Sequence, residues 1–364
     1  MATEEGDDEV LFERRGALGH IVLNRPRAIN ALTHGMVLAI AAKLEEWAVD
    51  DGVRTVLLTG AGERGLCAGG DIVAMYKDAT SGDGSAAEAF WRDEYAMDAR
   101  IGSYPKPFVA VMDGVTLGGG VGISAHASHR IVTERSKVGM PETTIGYIPD
   151  VGGTWLLAHA PGELGTYLAL SATSVGAGDA IALGLADVYV PSDRLPALIE
   201  ALEISVPEPA SPVEPASPVE PASPVEPVET ILATVTESPP PPELLPQREW
   251  IDAAFAGDDL AGILTQLEGR EILDTIAAKS PTALAVTLAA LRRARDLPDL
   301  ESALAQDLRV SMRSLRSHDF GEGIRAQVID KDRNPRWEPA RVADVTPELV
   351  ASFFEPLVRE LGAA

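Results

Sequence analysis

Two carboxylates in a stretch that is otherwise apolar or small are the residues of this chain best placed to do chemistry. They are Glu142 and Asp150, within MPETTIGYIPDVGG (140–153). Buried carboxyl groups acquire raised pKa values that suit proton transfer. A helix cap for Asp150 and a surface acid for Glu142 are the competing readings, and spacing alone does not separate them. Two glycine-rich clusters, LCAGGDI (66–72) and DGVTLGGGVG (113–122), each follow an apolar strand-like run. Glycine lets backbone approach a ligand closely, and N–H groups at a helix start suit developing negative charge. Two such donors converging on one carbonyl oxygen make an oxyanion hole; tight turns are the alternative.

Other signals carry less. GAGERG (60–65) matches GxGxxG directly after a strand-like run, but no helix pattern opens at Gly65 and no strand ending in an acid follows at the required distance, so a turn is expected. Cys67 has no identifiable histidine partner and reads as a small buried residue. His126 and His129 have i, i+3 spacing without a third ligand, so no metal site is expected. No GxSxG is present, which argues against a serine thioesterase of the α/β-hydrolase type.

The elements that must position these residues follow from hydrophobic period. Ile21 to Leu23, TVLLT (55–59) and FVAVM (108–112) read as buried strands, with Ile131 to Thr133 a shorter fourth. Thr33 caps a helix whose Met36, Ile40, Leu44 and Trp47 share one face. Beyond residue 246 the pattern is helical: Ser280-Pro281 opens one helix, and others are expected over Leu300 to Leu315 and Pro347 to Leu361.

The 364 residues carry 30 basic and 55 acidic side chains, a formal charge of −25 that opposes attraction to nucleic acid or anionic membranes. No apolar run is long enough to span a bilayer and the first ten residues are acidic, so a cytoplasmic protein is expected. EPASPV is written three times between Glu208 and Val225, and residues 205–246 hold 13 of the 27 prolines with no base. This stretch reads as an acidic, solvated linker. The expected organisation is an acidic N-terminus (1–9), a catalytic core (10–204), the linker (205–246) and a helical C-terminal region (247–364).

NRPRAINALT (24–33), CAGGDI (67–72), GGGVGIS (118–124) and MPETTIGYIPDVGG (140–153) together resemble the crotonase, or enoyl-CoA hydratase/isomerase, superfamily. FWRDEY (90–95) and HDFGEGIRAQVIDKDRNPRWEPA (318–340) resemble its 3-hydroxyisobutyryl-CoA hydrolase branch. The resemblance implies an α/β fold, a crotonase-like ββα spiral core with a helical C-terminal region. It also implies an acyl-CoA substrate, no separate cofactor because coenzyme A arrives with the substrate, and a homo-oligomer. Hydratases of the superfamily pair two glutamates; at the first of those positions stands Gly122, and only Glu142 remains. The hydrolase branch couples that glutamate to an aspartate eight residues on, which matches Asp150. By resemblance, Glu142 and Asp150 are catalytic, with the N–H groups of Gly119 and Gly70 as oxyanion donors. Glu94, Ala68, Gly69 and Asp71 then contact substrate, and Arg25, Arg27, Lys331 and Arg333 are candidates for the coenzyme phosphates. An enoyl-CoA hydratase or isomerase, and a catalytically silent acyl-CoA-binding scaffold, are the rival functions.

Overall fold

Apolar runs divided between two faces build the main sheet of the computed structural model, which describes residues 8–204 and 227–362. In FVAVM, Phe108, Ala110 and Met112 enter one hydrophobic cluster while Val109 and Val111 enter another. That is the period of two that a strand imposes, and burial of both faces explains the unbroken apolar run. Val56 and Leu58 against Leu57 divide in the same way.

The strands are β1 (Val10–Arg15), β2 (Leu18–Leu23), β3 (Thr55–Gly60), β4 (Gly65–Cys67), β5 (Phe108–Met112), β6 (Val115–Leu117), β7 (His129–Val132), β8 (Lys137–Gly139), β9 (Ser174–Val175) and β10 (Val188–Tyr189). They form a six-stranded sheet in the order β1-β2-β3-β5-β7-β10 and a four-stranded sheet in the order β4-β6-β8-β9. β1 is antiparallel to β2 and β9 to β8, and the remaining pairs are parallel. Consecutive strands therefore alternate between sheets: β3, β5 and β7 lie in the larger one, and their successors β4, β6 and β8 lie side by side in the smaller. A helix follows each of the first two such pairs, α2 (Ile72–Ser81) after β4 and α4 (Gly119–Ala125) after β6. This repeated strand-strand-helix step is the ββα spiral expected from the sequence, and GAGERG is the turn between β3 and β4.

Helix α1 (His34–Val49) is capped by Thr33, whose hydroxyl accepts the Met36 N–H at 3.2 Å. Helix α3 (Ser85–Gly102) buries Trp91, Glu94, Tyr95 and Asp98. The C-terminal region is helical, as expected, and packs on the spiral core in one continuous hydrophobic cluster. One of its helices is shorter than its pattern suggests: it spans Pro347–Ser352 and gives way to turns. Pro356 has no N–H to continue it, and the Leu357 N–H is taken by Glu360 Oε1 at 2.9 Å.

The linker expectation needs correction in its second half. The EPASPV repeats lie outside the described residues, but Val228–Val235 is a helix with Val228, Ile231, Leu232 and Val235 buried. Those side chains, with Leu198 and Leu202, cover Leu57, Val109 and Ile131 on the outer face of the larger sheet. Proline content concealed a short apolar face at period 3 to 4 within VETILATV. The prolines after it are also docked, because the Asp179 carboxylate accepts the N–H groups of Glu243, Leu244 and Leu245 at 2.9 to 3.2 Å. Replacing Asp179 with Ala leaves these donors without a partner and is expected to lower unfolding free energy by about 2 kcal/mol, the scale of hydrogen bonds to a charged group. Urea denaturation checks this, and a change below about 0.5 kcal/mol would show the contact to be incidental.

Candidate active site

Because β4, β6 and β8 are adjacent and parallel, the three segments that leave their C-terminal ends converge: Ala68 to Gly70, Gly118 to Gly119 and Pro141 to Ile145. Crevices outside the carboxyl ends of parallel strands are the usual ligand sites of α/β proteins. Here they enclose a cavity of about 220 Å³ bordered by Ala68, Gly69, Gly70, Glu94, Gly119, Glu142 and Asp150. Seven of the residues expected from the sequence thus meet at one place.

Gly118 adopts φ +53°, and a Cβ there would stand 2.5 Å from Glu142 Oε1, so only glycine lets the β6 turn pass the carboxylate. A Cβ on Gly119 would lie 2.7 Å from Glu94 Oε1 and 3.3 Å from the Gly70 nitrogen, which fixes how closely the two glycine turns approach. The N–H groups of Gly70 and Gly119 donate to no described protein acceptor, whereas their neighbours are engaged: Asp71 N–H bonds Leu32 and Gly118 N–H bonds Gly139. Two free, adjacent backbone donors on a cavity wall are the arrangement that a carbonyl oxygen gaining charge would require. At Gly122, a Cβ would meet Val151 Cβ at 2.6 Å and Asp98 Oδ2 at 2.8 Å. The position that holds the second glutamate in the hydratases is therefore filled by other side chains.

Five carboxyl groups, Glu94, Asp98, Glu142, Asp150 and Asp307, are buried around this cavity, and none pairs with a described cation. An unpaired buried carboxylate is costly, so desolvation raises the proton affinity of all five, and repulsion from Asp150 adds to the effect in the other four. Asp150 is the exception in degree. Burial pushes it up to about 6, while hydrogen bonds from Tyr95 and Tyr147 hold it lower than burial alone would leave it. The two hydroxyls donate to Asp150 Oδ2 at 2.7 and 3.0 Å. The negative charge of the cluster therefore settles first on Asp150, and Glu142 is held well above the usual carboxylate range by burial and then by that neighbouring charge.

Several of these partners escaped the sequence reading. Tyr95 and Tyr147 sit inside the quoted motifs, one residue after Glu94 and three before Asp150, but only the acids stand out there as chemical groups. Ser311 Oγ lies 2.8 Å from the Tyr95 hydroxyl and also contacts that of Tyr147. Asp307 accepts the Gly152 N–H at 2.9 Å and the Thr154 hydroxyl at 2.7 Å. Both come from the helix Leu300–Ser314, where polar residues at i, i+4 on the face that also carries Leu304 and Leu308 were the available signal. Phe320 and Gln327, the latter on a π-helical turn (Arg325–Ile329), close the cavity, and Tyr147 stacks on Trp91 at 5.9 Å. Val151 is held at φ +53°, an outlier for a β-branched residue; His126 Nε2 lies 2.8 Å from its carbonyl oxygen. Burial pushes His126 down to about 4, so the neutral ring donates to that oxygen.

Five expected binding residues lie elsewhere. Arg25 bonds Glu9 and Asp71 at 3.0 and 3.3 Å, so its charge is committed to holding the 24–33 loop, and Asp71 is its partner outside the cavity. Arg27 is exposed and borders, with Arg25, an open depression of about 420 Å³. Lys331 and Arg333 are exposed beyond the π-helical turn. Cys67 is buried and its thiol is pushed up to about 12, which suits the packing reading.

Over residues 18–354 the chain matches the enoyl-CoA hydratase/isomerase family and belongs to it. Among its relatives, the 3-hydroxyisobutyryl-CoA hydrolases, named as mitochondrial, of Danio rerio and Homo sapiens are each 35% identical. The matches span 98% and 96% of this chain and 92% and 89% of theirs. Among solved structures, a carnitinyl-CoA dehydratase from Mycobacterium thermoresistibile superposes with a TM-score of 0.88 at 47% identity, covering 97% of this chain and 98% of its own. An enoyl-CoA hydratase from Rhodobacter sphaeroides 2.4.1 follows at 0.85 and 40%, covering 96% and 98%.

Removing one tyrosine hydroxyl removes a bond that favours ionised Asp150, so its pKa must rise. In Tyr147→Phe the Asp150 titration is expected to move above its value of about 6, read from carboxyl ¹³C shifts. An unchanged or lower midpoint would show that the hydroxyl does not carry the charge.

Proposed function

We propose that this chain is an acyl-CoA thioester hydrolase acting on 3-hydroxyisobutyryl-CoA, as its vertebrate relatives are named. One observation carries the reading: Glu142 and Asp150 face a single cavity beside two free N–H donors, while Gly122 offers no second glutamate. The thioester oxygen accepts hydrogen bonds from Gly70 and Gly119, which offset charge as the carbonyl is attacked. Glu142, whose burial raises its basicity, acts from its ionised form and either takes the proton of an attacking water or attacks the acyl carbon itself. Asp150, its charge supported by two tyrosines, orients the water or the substrate hydroxyl and assists transfer to the departing thiolate of the proton drawn from the water. The C–S bond breaks, the acyl carbon gains the water oxygen, and the free thiol of coenzyme A leaves. Glu94, Ala68 and Gly69 belong to this reading as substrate contacts within the cavity, Asp71 lies beside it as the anchor of Arg25, and Arg27 and Lys331, exposed and without an ion pair among the described residues, serve as cations for the coenzyme phosphates. Arg25 acts through Asp71.

The second reading, hydration of an enoyl-CoA, is favoured by the names of the two solved relatives. It would have to proceed without a glutamate at position 122. No further cofactor is invoked, and chelation is expected to leave turnover unchanged. Among the described residues no helix is long and apolar enough to cross a membrane. The proposal keeps the enzyme in the cytoplasm as a homo-oligomer, which cell fractionation and light scattering test.

Thiol release from 3-hydroxyisobutyryl-CoA is expected, with little loss of absorbance from crotonyl-CoA. Glu142→Gln and Asp150→Asn are each expected to lower thiol release by roughly two orders of magnitude or more, the usual scale for acid–base groups. Hydration without thiol release would overturn the lead, and wild-type rates in both variants would remove the pair from the mechanism.

A further inference from the structure

One buried cation stands behind the cavity wall and has no part in the chemistry above. Lys279 precedes Ser280, the cap of the helix Pro281–Ala294, and is 7% exposed. It forms no ion pair with any carboxylate among the described residues. Its Nζ lies 3.2 Å from Thr144 Oγ1, and Thr144 borders the cavity two residues after Glu142 on the 3₁₀ turn Glu142–Ile145. The lysine thus reaches from the C-terminal region to the segment that carries the central carboxylate.

An ammonium has donors and no acceptor, so in this bond the Thr144 oxygen must accept. The hydroxyl hydrogen is then directed elsewhere, and no described oxygen receives it. Burial pushes Lys279 down to about 8, which still leaves it mostly protonated near neutral pH, and Thr144 remains a donor. A half-buried donor with no protein acceptor, on the wall of a cavity whose side-chain polar groups are otherwise mainly carboxyls, discriminates between ligands. It rewards one that brings an acceptor and penalises one that does not.

We infer that Thr144 is a specificity-determining donor to an acceptor oxygen of the acyl-CoA, and that Lys279 is its positioning residue. Two oxygens of the substrate have this chemistry: the hydroxyl of a 3-hydroxyacyl group and the amide carbonyl of the pantetheine arm nearest the thioester. The inference rests on the thioesterase reading for its substrate.

Thr144→Val keeps the shape of the side chain and removes the donor. Thiol release is measured with 3-hydroxyisobutyryl-CoA and isobutyryl-CoA, with kcat and KM determined separately. The expected result is a KM for the hydroxyacyl substrate raised about ten-fold with kcat changed less than about two-fold, the scale of one buried hydrogen bond. If the acceptor is the acyl hydroxyl, KM for isobutyryl-CoA stays unchanged; if it is the pantetheine carbonyl, both rise alike. Lys279→Met should reproduce part of the effect, and Lys279→Gln, which keeps a donor, should restore it. Unchanged KM for both substrates in Thr144→Val overturns the inference while wild-type turnover leaves the thioesterase reading standing. If the wild type releases no thiol, that reading has failed, and the dissociation constants of the same two thioesters, measured by calorimetry, decide the inference by the same differences.

Discussion

A carboxylate buried without a cation is the constraint around which this molecule is organised. Asp150 bears its charge in a site shared with four other acids, and the two tyrosine hydroxyls on Oδ2 are what make that charge tolerable. Each hydroxyl comes from a different element. Tyr95 rides on α3 and Tyr147 follows the turn that holds Glu142, while Ser311, from the C-terminal helix Leu300–Ser314, touches both. The charge of one residue therefore depends on three separate parts of the chain being packed together, which gives the C-terminal region a share in the electrostatics of the site.

The spiral supplies the other half of the arrangement. By sending alternate strands to two sheets, it brings β4, β6 and β8 side by side although they lie far apart in sequence. The ends of these strands then place backbone donors and carboxyls around one cavity with no long loop. Glycine at 118 is the local condition for this, since any Cβ would collide with Glu142. Glycine at 122 has the opposite consequence: it removes a carboxylate, and Asp98 and Val151 fill the space. The family relationship fixes the scaffold, and relatives named for hydrolysis and for hydration both match it over nearly the whole chain.

Much of this was legible beforehand because it depends on local pattern. Unbroken apolar runs such as FVAVM mark doubly covered strands, and the Thr33 and Ser280 caps mark helix starts through side-chain bonds to nearby N–H groups. The linker shows where such reading stops. Proline density suggested a solvated segment throughout residues 205–246, yet a two-turn apolar face within it covers the outer side of the sheet. Composition averages over a window, whereas burial is decided residue by residue.

By itself the sequence determined which residue types were available: two acids among apolar neighbours, glycine where backbone must approach closely, and no glutamate at position 122. Tertiary structure alone decided their condition. It pairs Arg25 with Asp71, leaves Gly70 and Gly119 without acceptors among the described residues, and sets Lys279 behind Thr144. Charge state, hydrogen-bond direction and access to a cavity all depend on neighbours distant in the chain, and local patterning carries no record of them.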